Sequence, residues 1–180
     1  MKRIITVLAS MLCLCIVSQA KLALSNVCSD GMVLQQNTEA VIWGTSDPGA
    51  QITVTPSWNG KGYRCKADSD GKWSVKVETP AGSYKAYSIA VKGGGASLKI
   101  SDVLVGEVWL ASGQSNMEMP MRGFFNCPVE NAIEYISAPA AKEKIRMFTV
   151  PVKQSYEPLT EVDSKWEGAE PATVPGMSAT

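Results

Sequence analysis

The run Val103-Leu104-Val105-Gly106-Glu107-Val108-Trp109-Leu110-Ala111 is nearly all apolar and does not alternate. A strand with such a pattern suits burial on both faces, as in a parallel sheet. It passes directly into Ser112-Gly113-Gln114-Ser115-Asn116-Met117-Glu118-Met119-Pro120-Met121, a turn rich in small and amide side chains. In open α/β sheets, ligands bind at the carboxyl ends of strands. The stretch therefore predicts the start of an α/β domain with a ligand site at residues 112–121.

Two serines lie in that turn. Ser112 comes as the strand ends and is read as satisfying backbone groups. Ser115 sits between Gln114 and Asn116, and two readings of it stand. It is an ordinary helix N-cap, or it is a nucleophile whose neighbouring backbone N–H groups hold an oxyanion. The spacing is not the GxSxG elbow, because position 117 is Met rather than Gly.

Upstream, residues 21–101 show short alternating runs punctuated by turns. Leu22 and Leu24, Met32-Val33-Leu34 and Ala40 to Trp43 open the series, separated by Asp30-Gly31 and closed by Asp47-Pro48-Gly49. Ile52 and Val54 alternate with Gln51, Thr53 and Thr55, the period of a half-buried strand. Asn59-Gly60 signals a hairpin into Tyr63, Cys65 and Ala67. Asp70-Gly71 turns the chain into Trp73, Val75 and Val77, and Tyr87, Ile89 and Val91 make a last strand. Turns about every ten residues without a helical stripe predict an antiparallel β-sandwich. Trp73 falls in phase with the core, whereas Trp58, beside the Asn-Gly turn, is a candidate sugar contact. Gly93-Gly94-Gly95 lacks the residues of a phosphate loop and is read as a flexible connection.

Downstream, Val129, Ile133 and Ile136 predict a helix from about 126 to about 139, and Ile145 to Val150 predicts a strand stopped by Pro151. Two strands are too few for a covered parallel sheet, so this half reads as the beginning of a larger domain.

Residues 1–20 have a basic start at Lys2 and Arg3, an apolar stretch from Ile4 to Val17, and small residues at Ser18 and Ala20. That is the pattern of a signal peptide, too short for a membrane span, and it predicts export to the periplasm or the extracellular space. The full chain carries 17 basic and 17 acidic residues; without Lys2 and Arg3 the balance is 15 against 17, a net charge near −2. No basic excess exists to release counterions from a nucleic acid. Histidine is absent, so no Ser-His-Asp triad, His-rich zinc site or HExxH can be completed within the chain. Beyond residue 20 three cysteines remain, Cys28, Cys65 and Cys127, in no metal-binding spacing. They read as buried thiols acting as small hydrophobes, with a Cys28–Cys65 bridge as the alternative.

Residues 102–121 closely resemble the sialate O-acetylesterase family of SGNH-hydrolase-type carbohydrate esterases, whose nucleophile block matches Gly113-Gln114-Ser115-Asn116-Met117. Ser29 to Gln35, Asp70 to Trp73, Lys144 to Phe148, Trp166 and Pro175 to Thr180 resemble the family in the same order. The resemblance implies an N-terminal antiparallel β-sandwich over 21–101. It also implies, over 102–180, the truncated start of a flavodoxin-like three-layer α/β hydrolase domain.

It further implies acyl transfer, with Ser115 as nucleophile and its own backbone N–H as one oxyanion donor. The family's base is a histidine in a late Asp-x-x-His element that this chain does not contain. Gly113, Gln114 and Asn116 then shape the turn, and Glu118 and Arg122 line the cleft or form a structural ion pair. Arg122 is also a candidate contact for a sugar carboxylate. No metal or nucleotide cofactor is implied, and the expected partner is an O-acetylated sugar or glycan. Acetylated sialic acids and acetylated plant polysaccharide both remain as substrates. A non-catalytic carbohydrate-binding or interaction module is the competing class, favoured by the absent histidine.

Overall fold

A computed structural model describes residues 22–137 and 144–178; the leader-like segment 1–20 lies outside them. The described chain is mostly β-sheet with few, short helices. Eight strands come first: β1 (Ala23–Leu24), β2 (Val33–Gln35), β3 (Glu39–Thr45), β4 (Gln51–Pro56), β5 (Tyr63–Lys66), β6 (Lys72–Glu78), β7 (Ser83–Gly93) and β8 (Ala96–Gly106). They form a three-stranded sheet in the order β1-β3-β6 and a five-stranded sheet in the order β2-β8-β7-β4-β5. The two sheets share one core. Ile42, Trp73 and Val77 from the first meet Ile52, Val54, Ile89, Val91, Ile100 and Val103 from the second.

Period-2 alternation explains most of this. Along β4 the buried side chains are Ile52, Val54 and Pro56, and along β6 Trp73 and Val77 are buried while Lys72, Ser74 and Glu78 are exposed. Gly44 on β3 is fixed by close approach: a Cβ there would stand 2.0 Å from the Ala23 carbonyl oxygen of β1.

Four expectations need correction. The larger sheet is mixed rather than antiparallel, because β2 pairs with β8 in parallel, Val33 opposite Leu104. Gly94 and Gly95 are no flexible connection. Both have positive φ, 53° and 78°, and Gly93 pairs with Ala96, so they make the tight turn between β7 and β8. The run 103–111 is not one strand. Val103, Leu104 and Val105 are buried in β8, but Glu107 to Gly113 have no regular structure. The pattern change at Ser101-Asp102 marks instead an irregularity inside β8, where the register against β7 shifts and Asp102 takes φ 55°. Finally, no Cys28–Cys65 bridge forms, and all three cysteines are free thiols. Cys28 is buried as expected, with its pKa pushed up to about 11 mainly by that burial. Cys65 is half-buried, and Cys127 is exposed rather than packed.

The remainder is thinly structured. Helix α1 spans Ser115–Glu118 and α2 spans Ala132–Ser137, shorter than the helix expected from 126 to 139, whose last two positions fall outside the described residues. Strands β9 (Arg146–Phe148) and β10 (Trp166–Gly168) form an antiparallel ribbon, and a 3-10 turn covers Val174–Gly176. Among the described residues 107–178 contain no parallel sheet. A second, small core joins Ala169, Val174 and Met177 to Met121, Ile136 and Met147.

Candidate active site

The turn that carries Ser115 follows β8 after the irregular residues 107–113. Its entry is held to the β core by paired amides. Gln36 Nε2 donates to Glu107 Oε1 (2.6 Å), Gln35 Nε2 to Glu107 Oε2 (3.1 Å), and Gln35 Oε1 accepts from the Val108 N–H (2.8 Å). The hydrogen bonds from Gln36 and then Gln35 hold the Glu107 carboxyl below its ordinary pKa.

After residues 108–113 the chain bends into α1. Gln114 occupies the N-cap position, its side chain makes no capping bond, and its carbonyl accepts from the Met117 N–H at 2.9 Å. Ser115 is therefore the first helical residue and not the N-cap, so that reading of it falls away. It is exposed, and among the described residues its hydroxyl has no hydrogen-bond partner. Its amide is one of those at a helix start that have no intrahelical acceptor. Gly113 lies under the Met117 side chain: a Cβ there would stand 2.8 Å from Met117 Cγ. A larger residue at 113 would displace that side chain and with it the packing of the turn.

The exit from the turn is tied to the C-terminal segment. Pro120 bridges Ser178, the Met121 N–H donates to the Met177 carbonyl (2.7 Å), and the Arg122 N–H donates to the Pro175 carbonyl (3.1 Å). The Arg122 guanidinium also donates to that carbonyl, at 3.3 Å. The expected Glu118–Arg122 ion pair does not form among the described residues; both side chains are exposed. Asn116 and Glu118 follow Ser115 on α1, so the turn residues are contiguous. The chain holds no histidine that could serve Ser115 as a base. Among the described residues no group of His, Cys, Asp or Glu side chains could hold a metal ion.

A shallow depression of about 340 Å³, lined by Leu24, Asn26, Asp30, Leu98 and Lys99 among others, opens on the β core. None of its lining residues belongs to the Ser115 turn. Trp58, the candidate sugar contact, is half-buried: its indole N–H donates to the Glu78 carbonyl at 2.8 Å and its ring packs edge-on against Tyr87. Sequence reasoning missed Arg146, whose contacts join distant segments; a lone arginine within a short apolar strand offers no periodic signal.

The chain is similar to the crystal structure of a carbohydrate acetylesterase from Xanthomonas citri. The two share 35% sequence identity and a TM-score of 0.76, over 87% of this chain and 34% of that one. No family model matches. Among curated proteins, the sialate O-acetylesterase of Mus musculus is 38% identical over 146 residues, covering 75% of this chain and 26% of that protein. The sialate O-acetylesterase of Homo sapiens is 36% identical over 150 residues, 77% of this chain and 28% of that protein. Over about three quarters of its length the chain is related to the sialate O-acetylesterases, and it spans about a quarter of the length of the curated relatives it matches. No helix among the described residues is long and apolar enough to cross a membrane.

Proposed function

We propose that this chain carries the nucleophile of a serine ester hydrolase that removes O-acetyl groups from sialic acids or related glycans. The observation that carries the reading is an exposed Ser115 at the first position of α1, inside the block that resembles the family's nucleophile. The Ser115 oxygen attacks the acetyl carbonyl carbon and its proton passes to a base. The oxyanion accepts from the Ser115 backbone N–H, and the sugar hydroxyl leaves as an alcohol. Water then attacks the acetyl-serine, releasing acetate and restoring the hydroxyl.

The base is a residue this chain does not supply, since it has no histidine. The chain alone is therefore catalytically silent. In this reading the β core over 22–106 is a sandwich module, and 107–180 is part of an SGNH-type hydrolase domain. The seam lies at the end of β8 rather than at residue 101. The leader-like residues 1–20 support export.

The test is a chimera in which residues 22–178 replace the matching part of the Xanthomonas citri acetylesterase. Hydrolysis of an aryl acetate and of an O-acetylated sugar is expected. Ser115→Ala should reduce kcat by on the order of 10³-fold or more without unfolding the chimera. Full activity in the Ser115→Ala chimera removes the proposal. So does turnover by the 180-residue chain alone that Ser115→Ala leaves unchanged.

A further inference from the structure

We infer that Arg146 is a positioning residue: it locks the strap formed by residues 144–178 onto the β core and through that strap sets where the Ser115 turn stands. The inference rests on the reading of Ser115 as nucleophile for its catalytic consequence, but not for its structural one.

The Arg146 side chain is only 12% exposed although it projects from the short β9. Its Nη1 donates to the Gly31 carbonyl at 2.7 Å and to the Asp102 carbonyl, and its Nη2 meets Asp102 Oδ2 at 2.7 Å. One guanidinium thus joins the turn before β2, the irregular point in β8 and the first residue of β9. The two core segments are already tied to each other, since the Gly31 N–H donates to the Ser101 carbonyl and Asp30 Oδ1 accepts from the Ser101 N–H. The planar fork serves several acceptors at once, which a lysine ammonium on a flexible stem does not reproduce.

From Arg146 the connection to the site is continuous. β9 pairs with β10, and Trp166 of β10 packs on Phe148 (5.4 Å between ring centroids) and donates to the Val27 carbonyl at 2.8 Å. Glu161, earlier in the strap, accepts from Ser25 Oγ at 3.1 Å. Met147, next to Arg146, packs in the small core with Met121, Val174 and Met177. Backbone bonds from Met121 and Arg122 then reach Met177 and Pro175. Direct contacts also hold the entry to the turn, at Glu107 and Val108, so the strap governs its exit. A misplacement of about 1 Å at a nucleophile costs on the order of 10²-fold in rate.

Hydrogen exchange on the full 180-residue chain tests the structural half. Arg146→Ala should speed exchange at the amides of Met117, Met119, Met121 and Arg122 by roughly tenfold or more. Val54, Val91 and Ile100 should keep their protection, and Arg146→Lys should fail to restore the turn. Unchanged exchange at 117–122 overturns the inference, and so does an equal loss of protection across the whole β core. Should the Ala variant not fold, the Lys variant gives the same reading. In the chimera described above, Arg146→Ala should lower kcat by roughly tenfold or more with KM within about twofold. Faster exchange with an unchanged kcat also overturns the role in positioning. Activity that survives Ser115→Ala would instead defeat the esterase reading and leave the exchange result standing.

Discussion

Residues 22–106 and 107–178 are both rich in large apolar side chains, yet they use them in opposite ways. In the first, Ile42, Ile52, Val54, Val77, Ile89, Val91 and Val103 are fully buried. In the second, Trp109 is 87% exposed and Leu110 92%, and Phe125 and Tyr156 are exposed as well. Composition does not separate the two regions; partner surface does. Each strand of the β core brings an apolar face to a facing sheet, whereas the second region has a small core of its own around Val174 and Met177 and sends Trp166 onto the β core. Apolar residues stabilise a fold only when something covers them.

The sharpest way to break that contrast is to open the buried side of it. Ile52→Ala should cost about 2–5 kcal/mol through lost transfer energy and a cavity, measured by urea denaturation. A cost below about 1 kcal/mol would mean that the two sheets do not enclose a close-packed core.

The next effect is on alkaline stability. The Cys28 thiol rises from its ordinary 9.0 to about 11, chiefly by burial. The unfolded chain therefore loses that proton first, so folding stability is complete below the ordinary value and falls as pH rises from about 9 to about 11. The loss approaches about 2–3 kcal/mol at the upper end. Subtracting the pH profile of Cys28→Ala isolates it. Alkylation should label the exposed Cys127 while sparing Cys28; equal labelling of the folded chain would contradict the burial.

The smallest expected effect comes from the exposed region. Leu110→Ser should change stability by less than about 0.5 kcal/mol and increase solubility. A loss of several kcal/mol would mean that Leu110 is packed and would erase the contrast between the regions.

Much of the β core was legible because alternation is local. Ile52 and Val54, or Trp73, Val75 and Val77, announce their buried face within a few residues. The reading of 103–111 as a strand covered on both faces holds for Val103, Leu104 and Val105, three successive side chains that are all buried. It fails for Val108, Trp109 and Leu110, because an apolar run reports a preference for burial and not the presence of a partner. The parallel pairing of β2 was invisible for a similar reason: three residues cannot declare a partner so far along the chain. At the site, Ser115 and its neighbours stood out as a block of residue types. The exit bonds to Pro175 and Met177, and the clamp at Arg146, depend on which distant carbonyls the fold brings near. No spacing encodes that.

The parallel pair of β2 and β8 has a consequence for the order in which the molecule can be made. Among the described strands, β2 pairs only with the one that contains Leu104, Val105 and Gly106. During synthesis, then, the hairpins formed by β4 with β5 and by β7 with β8 can close as their residues emerge, whereas β2 must wait until the end of β8 has left the ribosome. Contacts of such long sequence separation are slow to form. The nascent chain therefore carries an unpaired apolar segment at Met32-Val33-Leu34 until the end of β8 has been made, which makes that segment the natural place for a chaperone to hold it.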